Sequence, residues 1–169
     1  MKKFTISMIS MGSIVLLLII TSCSNDDDQN PEPELEAWEI EVNQVKAVTA
    51  KYIDFSIAEA EGLIDVSGYV PNMGHHFLNP GLADGTFELN KPEIILYVPD
   101  ANGNMKMVAV EYSIIPEDPK NPGNPPEGFS GDNDVWHFNE MVGQWQLHVW
   151  TILENPDGIF ASFNTAIGD

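Results

Sequence analysis

Met105-Lys106-Met107-Val108-Ala109-Val110-Glu111-Tyr112-Ser113-Ile114-Ile115 reads as a β-strand, apolar along most of its length and free of turn-forming residues. Asn102-Gly103 stands just before it, a dipeptide that favours a tight hairpin turn. Residues 93–98, just upstream, read as the strand on the other arm of that hairpin. Working outward, residues 63–70, 73–78 and 145–153 carry the same strand character. Upstream of residue 62 the periodicity changes. Trp38, Val42, Val45, Thr49 and Tyr52 recur at intervals of three and four, the stripe of one helix face, within residues 35–61. Asp54 is placed to cap a second short helix over residues 55–61, and Gly62 to stop it. The expected class is α+β: an N-terminal helical segment packed on a mostly antiparallel β-sheet or small barrel. Residues 116–134 are mostly proline, glycine, asparagine and acid, and predict a long loop of the kind that is functional or disordered.

Glu111 is the odd residue of the opening strand. On strict alternation it shares a face with Met105, Met107, Ala109, Ser113 and Ile115. An ionised carboxylate among such neighbours is costly unless it is paired, hydrogen-bonded or bound to metal, or unless that face is partly open to water. His148 poses the same question in residues 145–153, where it shares a face with Gln146, Trp150 and Ile152. His75 and His76 are neighbours in a strand, so only one of them can face a given site. His137 follows Trp136 at the end of the long loop. Imidazole and carboxylate together suit a divalent transition metal such as Zn, Mn, Fe, Ni or Cu. No pair of histidines has a local ligand spacing, so His76, Glu111, His148 and His137 become candidate ligands only if folding gathers them. A histidine satisfied by ordinary hydrogen bonds is the competing reading. Trp136, Trp145 and Trp150 are the aromatics expected to keep water out of such a pocket. Asp100-Ala101-Asn102-Gly103-Asn104 resembles the start of a calcium loop with Glu111 at its twelfth place. Met105 stands where the sixth-place glycine belongs and strands flank the segment, so a hairpin turn is expected there. No nucleophile motif and no phosphate-cradling glycine loop occurs in the chain.

The N-terminus carries a different message. Lys2 and Lys3, a short apolar run over residues 14–20, and Thr21-Ser22 ahead of Cys23 form the layout of a secretory signal, expected to span residues 1–22. A cysteine at the cut is similar to the lipobox of bacterial lipoproteins, which implies lipidation of Cys23 and attachment to the membrane by acyl chains alone. Cys23 is the single cysteine among 169 residues, so no intramolecular disulfide is expected. Residues 23–34 are acidic and proline-containing and predict a disordered tether, followed by one domain over residues 35–169. Asp26-Asp27-Asp28 soon after the cysteine resembles the surface-export signal of lipoproteins in Bacteroidota. The expected location is the outer membrane, at the cell surface or on its periplasmic face. Seven basic residues stand against 26 acidic ones, a net charge of −19. Such a charge disfavours nucleic acid and anionic membrane surfaces as partners.

Several short motifs form a set. They are Met73-Gly74-His75-His76-Phe77-Leu78-Asn79-Pro80, Lys91-Pro92-Glu93-Ile94-Ile95-Leu96-Tyr97, Val110-Glu111-Tyr112, Leu147-His148-Val149-Trp150 and Asn155-Pro156-Asp157-Gly158-Ile159-Phe160-Ala161. Together they resemble a family of exported bacterial proteins of unknown function, over roughly residues 45–165. The resemblance selects His76 over His75, along with Glu111, His148 and, more loosely, His137. Asn164-Thr165 departs from the Asn-Pro of the pattern. The resemblance brings no activity with it. Two expectations follow: a lipid-anchored domain with a His/Glu pocket for a metal or small ligand, or a non-catalytic surface module that binds a protein or glycan through the long loop and aromatics such as Phe129 and Trp136.

Overall fold

The structure, a computed structural model, describes residues 34–168. The signal segment, Cys23 and nearly all of the tether lie outside the described residues. Helix α1 spans Ala37–Thr49, a 3-10 turn follows at Ala50–Ile53, and helix α2 spans Phe55–Ala60. Glu36 and Glu39 form a reciprocal capping box at the start of α1. Asp54 caps α2 by accepting the Ser56 N–H, and Gly62 follows at φ +79°. The expected stripe faces inward: Val42, Val45, Thr49 and Tyr52 are buried, and Trp38 packs edge-on to Phe160 at 5.7 Å.

Six strands follow: β1 Ile64–Val70, β2 Gly74–Leu78, β3 Ile94–Pro99, β4 Met105–Ile114, β5 His137–Asn139 and β6 Gln144–Val149. They form one curled antiparallel sheet in the order β1-β2-β3-β4-β6-β5, with β1 and β5 at its edges. The class is therefore α+β. Asp100 makes the β3–β4 hairpin by accepting the N–H groups of Asn102 at 2.8 Å and Asn104 at 2.9 Å, and these bonds with the Asn104 side chain hold its carboxyl down at about 2. The Asp100 carboxylate is thus spent on its own turn, as the hairpin reading requires.

Both faces of the sheet are apolar. Ile95, Tyr97, Met107, Val110, Tyr112, Leu147 and Val149 form one cluster with Val42, Val45 and Tyr52. The Tyr97 hydroxyl donates to the Tyr52 carbonyl at 2.8 Å, inside that cluster. On the other face Ile94, Leu96, Val108, Ala109 and Trp150 form a second cluster. The chain after β6 supplies Leu153, Ile159 and Ile167 to it. That returning segment is tied down where the Asn164 N–H donates to the Asn72 carbonyl and the Asn72 N–H to the Gly168 carbonyl.

Four sequence expectations change here. The β3–β4 register slips between Leu96 and Tyr97, so Met107 rather than Val108 stands opposite Tyr97. This bulge moves Met105 and Met107 to the helical side, away from Glu111. The last strand ends at Val149, because residues 150–153 turn away. The loop over residues 116–134 is anchored: the Ser130 N–H and hydroxyl both donate to the Glu41 carboxylate at 2.7 Å. Phe129 is 4% exposed and packs on Phe160 at 5.0 Å, so it is a core side chain and no contact surface for a partner.

Candidate metal centre

Three polar side chains meet on the sheet face opposite the helices. Glu111 on β4 and His148 on β6 are direct cross-strand partners, so their side chains stand side by side. His76 comes from β2, with β3 between it and β4. Register carries it inward: His76 pairs with Leu96, and Leu96 with Ala109. Ala109 adds only a methyl to that row, which leaves room for the imidazole to reach over β3. Gly74 lets the start of β2 lie close against β3. Its φ is +92°, and a Cβ there would lie 2.5 Å from the Tyr97 carbonyl oxygen.

His76 Nε2 lies 3.2 Å from Glu111 Oε2, and His148 Nε2 lies 3.3 Å from the same oxygen. Glu111 is 0% exposed, His148 4% and His76 7%. Neither contact has hydrogen-bond geometry: both Glu111 oxygens and His148 Nε2 are buried without a hydrogen-bond partner. They are not ion pairs either. Burial, then the neighbouring Glu93, pushes the Glu111 carboxyl up to about 8. Burial pulls His76 down to about 4, and burial followed by His76 and His137 pulls His148 down to about 3. Burial therefore favours the uncharged form of all three groups while no cation is bound. Both Glu111 oxygens and His148 Nε2 are thus left without a partner in a dry site, at a cost of about 1–3 kcal/mol for each such group.

A cation removes that cost. Ligands about 2.0–2.2 Å from a tetrahedral or octahedral metal lie about 2.8–3.6 Å from one another. The two N···O distances fall in this range, and His76, Glu111 and His148 can each offer one ligand atom, all within 4.8 Å of one another. Among the described residues no other cluster of three such side chains occurs. Comparison with family models, with curated proteins and with solved structures finds no match for this chain. The chemistry of the site therefore rests on its own geometry.

The other expected residues fall elsewhere. His75 points to the opposite face and pairs with Asp65 at 2.8 Å. His137 is exposed on edge strand β5, opposite Gln146, and is not one of the three converging groups. Trp150 stacks on His148, with ring centroids 6.3 Å apart and planes 13° from parallel. Trp136 and Trp145 do not wall the site. Trp136 packs with Phe87 on the helical side, and Trp145 lies against Phe138. For Trp145 the alternation itself gives the reason, since it is an odd number of residues from His148.

Sequence reasoning missed two groups. Glu93, just ahead of β3, is 1% exposed, accepts the Ser113 N–H at 3.0 Å, and burial raises its carboxyl to about 7. Ser67 on β1 lies 2.9 Å from His76 Nδ1. Nothing local marks Glu93, since its bond to the Ser113 N–H appears only once β3 and β4 are paired. Nothing local marks Ser67 either, because its role appears only once β1 and β2 are paired.

Proposed function

We propose that the domain binds a divalent transition metal (Zn, Mn, Fe, Ni or Cu) through His76, Glu111 and His148. The observation that supports this is a fully buried carboxylate whose two oxygens lack hydrogen bonds while two imidazole nitrogens converge on one of them. A two-histidine, one-carboxylate set is a recognised donor combination for zinc and for non-haem iron, with further coordination positions free for water or a small ligand. In this reading the helical segment covers the far side of the sheet and stiffens β3 and β4 behind the ligands, supported by the shared burial of Val42, Val45, Ile95 and Tyr97. Elemental analysis of protein purified without a His-tag tests the proposal. The expected result is about one metal per chain, gone from the His76→Ala/His148→Ala double variant; a wild type that takes up no metal from any of the five overturns it.

On this proposal the domain is held at the outer membrane by a lipid at Cys23, and the motif set quoted above resembles that of exported bacterial proteins. The basic start, apolar run and Cys23 support the anchor. No helix of the described residues is long and apolar enough to cross a membrane. Replacing Cys23 by Ala is expected to move the protein from the membrane fraction to the soluble one, and unchanged membrane attachment counts against a lipid at this residue.

A further inference from the structure

Ser67 lies in the irregular stretch of β1 where the register with β2 shifts between Asp65 and Tyr69. The Asp65 carboxylate pins this stretch by accepting the N–H groups of Ser67 at 3.2 Å and Gly68 at 2.9 Å. Gly68 takes φ +64°, which turns its carbonyl back toward the serine. A hydroxyl has one proton and two lone pairs. The Ser67 proton goes to the Gly68 carbonyl at 2.6 Å, and one lone pair takes the His76 backbone N–H at 3.1 Å. What remains to face His76 Nδ1, at 2.9 Å, is the second lone pair. With the hydroxyl proton held on the Gly68 carbonyl, that lone pair accepts, which favours the ring proton on Nδ1 and leaves Nε2 bare.

We propose that Ser67 is a positioning residue of the metal centre, its hydroxyl fixing His76 in the Nδ1–H form and so turning an unprotonated Nε2 toward Glu111. The consequence for metal rests on the reading of His76, Glu111 and His148 as ligands; the tautomer does not. An imidazole left to itself in water favours the Nε2–H form, which would put a proton where the metal belongs. Outer partners that fix a ligating histidine in this way are worth about 10–100-fold in metal affinity. The Gly74 carbonyl, which also favours a proton on this imidazole, is the competing explanation.

Nitrogen-15 NMR of the histidine rings in the metal-free full chain reads the tautomer directly. Wild type and Ser67→Thr, which keeps the hydroxyl, are expected to show His76 protonated at Nδ1 and bare at Nε2. Ser67→Ala is expected to shift protonation to Nε2 wholly or in part, and to bind Zn(II) about 10–100-fold more weakly against a competing chelator, with Ser67→Thr restoring the affinity. A Ser67→Ala ring still wholly Nδ1–H assigns the role to Gly74 and overturns the proposal. So does an Nε2–H ring in the wild type, a result that needs no variant to fold. A wild type that binds no zinc while its tautomer still depends on Ser67 sinks the metal reading and upholds the role of the serine.

Discussion

Glu111 shows how one residue sets the behaviour of its surroundings. A carboxyl whose folded value lies above its unfolded one stabilises the fold at low pH, and that stabilisation is lost as pH rises through the folded value. Glu93 at about 7 and Glu111 at about 8, against an ordinary 4.5, therefore lower stability from about pH 4.5 upward. His76 at about 4 and His148 at about 3, against 6.5, act in the opposite sense and lower stability as pH falls below about 6.5. The two effects cancel between about 4.5 and 6.5, so the metal-free protein is expected to be most stable there and to weaken up to about pH 8. Glu111→Gln is expected to remove the part of the alkaline fall that extends to pH 8 and to cut zinc affinity by more than about 100-fold. Urea midpoints across this pH range in the presence of a chelator check it; identical alkaline arms in wild type and variant contradict the assignment. Much of the centre was legible residue by residue. Glu111 and His148 stand out as charged or polar side chains in apolar strands, and the motif resemblance chose His76 over His75. The companions Met105 and Met107 were misplaced because a bulge at Val108 has no signature in the residues themselves.

At the level of elements the turns were the readable part. Asn102-Gly103, the Asp54 cap and Gly62 each do locally what their side chains or backbone freedom dictate. Strand β5 was not readable. It has three residues, too few for any period, and it exists because β6 offers it an edge. The loop that precedes it looked like a solvated excursion by composition, yet Phe129 plugs it into the core and Glu41 holds Ser130. Long-range contacts of that kind leave no trace in local composition. Gly74 gives the sharpest test at this scale. Gly74→Ala forces a side chain into a left-handed backbone and against the Tyr97 carbonyl, and is expected to cost about 2 kcal/mol or more. It should also lower zinc affinity more than a surface Gly103→Ala, since it displaces the start of the strand that bears His76. Equal effects of the two substitutions on zinc binding separate Gly74 from the centre.

For the molecule as a whole, the α+β class followed from a period that changes near residue 62, while the stacking of two apolar faces on one sheet did not, because both faces of β3 and β4 read alike. The strand order has one further consequence. The three ligand strands are not neighbours in sequence, and β2 is not even beside β4 in the sheet. No partial hairpin holds all three ligands. They come together only after β2, β3, β4 and β6 have all zipped up, which places their meeting late on the folding route. An ion captured by the finished sheet then has nothing to grip in the transition state. Zinc should therefore leave the refolding rate almost unchanged and slow unfolding in proportion to its whole binding energy. Stopped-flow traces with and without zinc would show the difference, and a metal that speeds refolding instead would mean that the ligand strands meet early.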